Sequence, residues 1–401
     1  MFELPFRSAL EYWSSARRFN ALSAEDRRIV FYAEDGDSWP HFEPIARQLT
    51  ESMGRNICYV TSSRSDPMLQ ANSPRIRTFC IGEGAVRTSW FMSLKADVCV
   101  MTMPDLQTFH IKRSRQWPVH YVYAFHSIVS THMIYRKAAF DAFDTILCVG
   151  PHHVREIRAT EAAYGLPAKQ LVEYGYGRLD TMLAGIATPQ CSHASSADRH
   201  VLVAPSWGPN GLLETRGEQC VAELLKSGLR VTVRPHPMTR RKRPDCIAAI
   251  ERAFGNDPRL KIETGVADFS SLAAADVMVS DFSGAALEFA FACERPVLFV
   301  DVPRKVNNPE YGTIGCEPLE VSIREQIGRV VAPADLASLG THARELCEQA
   351  DTYRSRIRQA RTQAVYNVGS SGRAAAEAIA SVADRAASGT GEVHELCGIG
   401  S

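Results

Sequence analysis

Val277-Met278-Val279-Ser280-Asp281-Phe282-Ser283-Gly284 runs directly into Ala285-Ala286-Leu287-Glu288-Phe289-Ala290-Phe291-Ala292. A short apolar, β-branched run, a polar turn and a glycine ahead of strong helix formers mark a buried strand that hands the chain to a helix. The run has no polar alternation, so both faces of the strand are covered, as in a parallel sheet flanked by helices. This pattern predicts that Ser280 or Asp281 caps the helix, with the amides of Ser283 and Gly284 left at its positive end to receive an anion such as a pyrophosphate. Glu288 then falls about two turns beyond Asp281 on the same face, within reach of ribose hydroxyls.

The same unit recurs on both sides of this stretch. Further strands are read at 201–204, 230–234, 260–263 and 297–300, and an earlier series at 29–32, 57–61, 76–81, 98–102, 119–124 and 145–149. Helix-length segments separate them, and strands alternating with helices build a doubly wound parallel sheet. A length of 401 residues suggests two or three domains, and two strand series make the choice two Rossmann-like halves of an α/β protein. The first half is read as 1–188, and the small, polar segment 189–199 as a linker. The second half is 200–332, with helices over 333–387 that have the length to lie back across the first half, and a glycine-rich tail over 388–401 that frays.

Lys plus Arg and Asp plus Glu both number 45, which removes the whole-chain case for a nucleic-acid binder. No apolar stretch is long enough to span a membrane, and the first residues lack the pattern of a signal peptide, so the default location is cytoplasmic. The cysteines sit mostly in apolar runs such as those of Cys58, Cys99 and Cys148, and no two have the spacing of a metal-binding or redox pair. Near the N-terminus, Phe2, Leu4, Phe6, Leu10, Trp13 and Phe19 are interleaved with Arg7, Arg17 and Arg18. Two readings stand there, a helix packed on the first half and a helix lying in a membrane interface.

Ligands of open α/β sheets bind beyond the carboxyl ends of strands, so strand ends hold the candidate functional residues. The richest is Arg234-Pro235-His236-Pro237, where an arginine and a histidine suited to phosphate leave a strand between stiffening prolines. Glu34-Asp35-Gly36-Asp37 and Pro104-Asp105 follow first-half strands, so Asp35, Asp37 and Asp105 are either acceptor-side contacts or turn caps. His132, His152 and His153 read as surface or capping residues, and Arg240-Arg241-Lys242-Arg243 as a solvated loop or a patch for polyanions or anionic lipid.

Arg234-Pro235-His236-Pro237, then Ser280-Asp281-Phe282-Ser283, Glu288-Phe289-Ala290 and Arg295-Pro296-Val297, resemble the CDP-glycerol glycerophosphotransferase family of teichoic-acid primases and polymerases. Ala204-Pro205-Ser206-Trp207 is similar to that family's Ala-Pro-Thr turn, and Gly175-Tyr176-Gly177-Arg178-Leu179-Asp180 to its Gly-Tyr-Pro-Arg-Asn-Asp segment. Phe125-His126-Ser127 stands where the family carries Trp-His-Gly. The resemblance implies a GT-B architecture, two Rossmann-like domains facing a central cleft, with C-terminal helices. It further implies transfer of glycerol phosphate or a related alditol phosphate from a CDP-linked donor to a lipid-linked or glycan acceptor, with release of CMP. In that scheme His126 is the general base, and His236 and Arg234 hold the donor phosphates. Ser280, Asp281, Ser283, Gly284 and Glu288 complete the donor site, and Arg178 and Asp180 are donor contacts or hinge supports. Neither a metal nor a tightly bound cofactor is implied, and peripheral contact with an anionic membrane is compatible. A GT-B glycosyltransferase or epimerase using a UDP-sugar, and a non-catalytic nucleotide-binding subunit, are the rival readings.

Overall fold

The computed structural model describes residues 5–186, 199–263 and 269–388; the linker and the tail fall almost wholly outside them. Among the described residues thirteen strands form two sheets. The first contains β1 (Ile29–Ala33), β2 (Ile57–Thr61), β3 (Ile76–Cys80), β4 (Val98–Met101), β5 (His120–Ala124), β6 (Thr145–Cys148) and β7 (Gln170–Glu173). The second contains β8 (His200–Val203), β9 (Arg230–Val233), β10 (Leu260–Ile262), β11 (Val277–Ser280), β12 (Val297–Val300) and β13 (Gly328–Val331). Their orders are β3-β2-β1-β4-β5-β6-β7 and β10-β9-β8-β11-β12-β13. All pairings are parallel, as in β11 against β8 and β12.

Both sheets reverse their winding once, between β1 and β4 and between β8 and β11. The strands at those points are buried along their whole length, which is why their sequences are uninterrupted apolar runs. β7 and β13 escape the sequence pattern because they are edge strands whose middle residues are only half-buried, so their composition is mixed.

The last two helices return to the first domain. Ala350–Ala364 ends against the start of helix Pro151–Tyr164, where a Cβ on Gly150 would come within 1.7 Å of the Ala364 carbonyl oxygen. Ser371–Ala387 lays Ala375, Ala376, Ile379 and Ala383 into the first-domain core beside Phe42 and Ile45 of helix Trp39–Arg47. Small residues along that seam let the helices close, and a Cβ on Gly372 would meet the Pro44 carbonyl oxygen at 2.5 Å.

Helix Pro5–Asn20 takes the packed reading on one side. Phe19 is buried with its ring 5.5 Å from Phe79 and 5.3 Å from Trp90, centroid to centroid. Leu10 and Trp13 remain outside.

Candidate functional site

The strand ends of the two sheets meet across a seam. His126 and Ser127 follow β5 on one side. Gly284 opens helix Gly284–Cys293 on the other, so close that a Cβ there would lie 2.2 Å from Ser127 Oγ. Tyr176 and Arg178 follow β7 and reach the same helix. The Tyr176 hydroxyl donates to Glu288 Oε1 at 2.6 Å, and Arg178 Nε lies 3.4 Å from Glu288 Oε2. Glu288 is therefore an interdomain link in this arrangement, and its oxygens face protein partners where a ribose contact is expected from the sequence. Asp281 precedes the helix instead of lying on it, so the expected shared face does not exist.

His126 is exposed along the seam, while Phe125 before it is buried and stacks against His153 with centroids 3.9 Å apart. His126 Nδ1 is 3.1 Å from the Thr102 carbonyl oxygen. A carbonyl can only accept, so Nδ1 carries the proton and Nε2 keeps its lone pair. Although the residue stays accessible from the seam, desolvation by the protein packed around the ring holds the imidazole below its ordinary pKa, outweighing the opposing pull of that hydrogen bond and of Glu288. An oriented imidazole with a lowered pKa and an available nitrogen is suited to remove a proton.

The backbone beneath His126 is held by the three histidines expected at the surface. His152 Nε2 donates to the Ile128 carbonyl at 2.8 Å and His153 Nε2 to that of Val129 at 2.9 Å. Both are buried, and His153 Nδ1 accepts from Val149 N at 3.3 Å. His132 is also buried, between the Cys316 carbonyl and Glu156. Ser130 donates its amide and hydroxyl to Glu320 of the second domain at 2.8 and 2.7 Å. These contacts are structural, each side chain being bonded to backbone or to the loop it holds, with His152 Nδ1 left buried without a hydrogen-bond partner.

The second-domain half gathers around Trp207, which follows β8. The His236 ring is centred 6.1 Å from it, Lys305 Nζ lies 4.2 Å from its centroid and Lys242 Nζ 5.0 Å. Burial, then Lys305, Arg240 and His126, depress His236 to about 4. Burial lowers Lys305 to about 8, against the opposing pull of Asp281 and Glu214. Lys305, Lys242 and Arg240 place like charges around a His236 held neutral, and an anionic ligand would relieve that repulsion.

Several sequence expectations are corrected by this geometry. Ser283, not Ser280 or Asp281, caps the helix, accepting from Ala285 N at 3.3 Å. Ser280 Oγ donates to the Ala204 carbonyl at 2.9 Å, and Asp281 accepts from Ser206 N at 2.7 Å and Leu212 N at 3.3 Å. Both are fully buried, so they shape the 204–212 loop and leave no side-chain atom for phosphate. Arg234 donates to Glu263 at 2.6 Å and to Ser271, so its charge is neutralised within the second domain instead of being offered to a donor. His236 Nδ1 accepts from Met238 N at 3.0 Å, capping a short helix and leaving Nε2 as its ligand-facing atom. Asp180 accepts from Gly369 N at 2.6 Å and Ser371 N at 2.8 Å at the start of the last helix. Asp35 is a turn cap, bonded to Asp37 N at 3.1 Å, while Asp37, behind Glu288, strengthens the charge on Arg178. Asp105 lies against residues 136–139, its amide bonded to the Ala139 carbonyl at 2.8 Å.

His41 is missing from the sequence reading. It occupies the third position of helix Trp39–Arg47, its ring centred 6.1 Å from His126 and 6.0 Å from Tyr176. Its Nδ1 is buried without a hydrogen-bond partner, and burial, with His126 and Arg178, holds it well below the usual imidazole pKa. The available signal was Pro40 at the start of a helix directly after the first strand's acidic turn, which places the next residue at the strand end. Lys305 had no local signal.

Chains of known structure share this two-domain fold. A putative UDP-N-acetylglucosamine 2-epimerase from Listeria monocytogenes superposes with a TM-score of 0.58 over 93% of this chain and 100% of its own, at 14% identity. WaaG, a glycosyltransferase of lipopolysaccharide biosynthesis, gives 0.51 over 88% of this chain and 99% of its own, at 14% identity. HepE from Anabaena, in complex with UDP and glucose, gives 0.52 over 88% and 99%, at 12% identity. The fold is GT-B. No family model and no curated protein matches the sequence. His41, His126, Trp207, His236 and Lys305 follow carboxyl ends of strands at or beside the two winding reversals, while Tyr176 and Arg178 follow the edge strand β7.

Proposed function

We propose that the protein transfers glycerol phosphate, or a related alditol phosphate, from a CDP-linked donor to an acceptor hydroxyl on the cytoplasmic side of the cell envelope, releasing CMP. The observation that carries this reading is a tautomer-fixed, solvent-accessible His126 at the strand ends of the first domain and, in the second, Lys305, Lys242 and a neutral His236 gathered around Trp207. His126 Nε2 takes the acceptor proton as the hydroxyl oxygen bonds to the alditol-bearing phosphorus. The phosphorus–oxygen bond to CMP breaks, and Lys305 and His236 Nε2 offset the charge that develops on the departing phosphate. The motif resemblance supports a CDP donor, and the UDP held by HepE and by the Staphylococcus aureus protein MnaA supports a nucleotide diphosphate in this kind of fold.

The test is to incubate the purified chain separately with CDP-glycerol, CDP-ribitol and UDP-N-acetylglucosamine, with a lipid-linked glycan acceptor, and to follow CMP and UDP. CMP from a CDP-alditol alone is the expected result. UDP release or epimerisation from the UDP-sugar alone overturns the proposal, and CDP binding with no turnover of any donor identifies a nucleotide-binding subunit instead.

The pH profile carries a second expectation. Lys305 is charged below about 8 and neutral above it, so donor capture weakens as pH rises through that value. kcat/KM for the donor should show an alkaline limb near pH 8 that moves upward in Lys305→Arg, whose guanidinium stays protonated. A limb unchanged in Lys305→Arg would remove Lys305 from the donor site.

A further inference from the structure

The polar groups around His126 are spent on one another, with one exception. The Tyr176 hydroxyl donates to Glu288 Oε1 at 2.6 Å and lies 3.0 Å from the His126 carbonyl oxygen. Arg178 meets the other Glu288 oxygen and stands over the Phe269 ring, 5.5 Å from its centroid. His126 Nδ1 is engaged by the Thr102 carbonyl. The exception is His41, whose ring faces those of His126 and Tyr176 at 6.1 and 6.0 Å, centroid to centroid. Its Nδ1 is buried without a hydrogen-bond partner, and none of the described residues hydrogen-bonds its Nε2. His152 also buries an unpartnered Nδ1, but spends its Nε2 on the Ile128 carbonyl.

The topology explains why the two imidazoles are neighbours. His41 lies in the first turn of the helix that follows β1, Thr102 follows β4 and His126 follows β5, and β1, β4 and β5 are consecutive in the sheet. The winding reverses between β1 and β4, so both rings border the crevice in which an open α/β sheet receives a ligand. A buried polar atom is nearly always paired, and an imidazole left unpaired at that crevice points to a partner that arrives with the ligand. Burial, with His126 and Arg178 beside it, disfavours the charged form of the His41 ring. It is therefore poorly suited to grip a phosphate as a cation. A neutral imidazole offers one donor and one acceptor, which matches a hydroxyl.

We propose that His41 is an acceptor-binding residue that hydrogen-bonds a hydroxyl adjacent to the one His126 deprotonates, so that the acceptor ends in a vicinal diol. Hydrogen bonds of about 2.8 Å from each ring converge on neighbouring oxygens when the ring centres are 6.1 Å apart. The inference rests on His126 meeting the acceptor hydroxyl, and it is independent of which nucleotide the second domain takes.

Binding of two small alcohols tests it without turnover. The full chain, carrying isotope-labelled histidine, is titrated with the terminal butyl ether of glycerol, which ends in adjacent hydroxyls, and with its counterpart lacking the middle hydroxyl. The diol should bind about tenfold more tightly than the single alcohol, the worth of one hydrogen bond. It should shift the ring signals of both His41 and His126, whereas the single alcohol should shift that of His126 alone. His41→Ala should lose the preference by weakening the diol only, and His41→Asn, which keeps a donor and an acceptor, should retain part of it. A merely structural role for His41 would weaken both alcohols equally. The signals of the unmutated chain provide a readout that does not depend on how a variant folds. Equal affinity for the two alcohols, binding of neither, a preference kept in His41→Ala, or a diol that leaves either ring signal unmoved overturns the proposal. No nucleotide is released in the titration, so a donor other than a CDP-alditol leaves its result standing, and failure here leaves the donor assay standing.

Discussion

His126→Ala is expected to lower the rate of CMP release from a CDP-alditol by about 10²–10⁴-fold, the usual contribution of a positioned general base. The Thr102 carbonyl fixes the proton on Nδ1, so Nε2 is the basic atom, and desolvation by the surrounding protein lowers the ring's pKa from its ordinary value. The loss should fall on kcat more than on KM for the donor, because His126 belongs to the first domain and the cationic group around Trp207 to the second. Nucleotide binding measured by calorimetry should survive the substitution, and added imidazole should restore part of the rate. An unchanged kcat in His126→Ala would show that proton removal is done elsewhere, and His41, with its unpartnered Nδ1 nearby, would be the next residue to replace.

The second large effect is on stability. Asp281→Ala is expected to cost about 3 kcal/mol, since each buried amide deprived of its acceptor costs about 1–3 kcal/mol. The Asp281 carboxylate is fully buried and accepts from Ser206 N and Leu212 N, tying β11 to the loop that carries Trp207. Burial pushes its own pKa up, so part of the loss is offset by no longer having to bury a charge. Asp281→Asn keeps one acceptor oxygen and should lose less than the alanine variant. Urea unfolding followed by tryptophan fluorescence would show a lower midpoint with little change in slope. Equal midpoints for Asp281→Ala and the wild type would mean that water satisfies those amides and that the loop is not held by this residue.

The two predictions bear on residues that were both visible as candidates in the sequence, yet one kept its expected kind of place and the other did not. His126 could be placed at a strand end because an apolar run stops immediately before it. Ser280 and Asp281 looked like helix caps for the same local reason, but the helix starts later, and tertiary partners in the 204–212 loop claim them. Arg234 is a similar case, because its partner Glu263 arrives from the adjacent strand end and no local spacing announces it. Glu288 and Arg178 come from different domains, and their pairing exists only because the two sheets face one another.

Patterning along the chain was sufficient for the sheet-and-helix alternation and for most strands, because burial on both faces of a parallel strand leaves no choice but a continuous apolar run. It also placed the candidate groups at strand ends, the one region of such a fold where backbone and side chains are open to a ligand. Tertiary structure alone decided which of those groups are spent on each other and which remain to meet a ligand. Hydrogen bonds and ion pairs such as Arg234 with Glu263 and Tyr176 with Glu288 join residues far apart in the chain. Their partners are set by the facing of strands and domains, which one-dimensional periodicity does not encode.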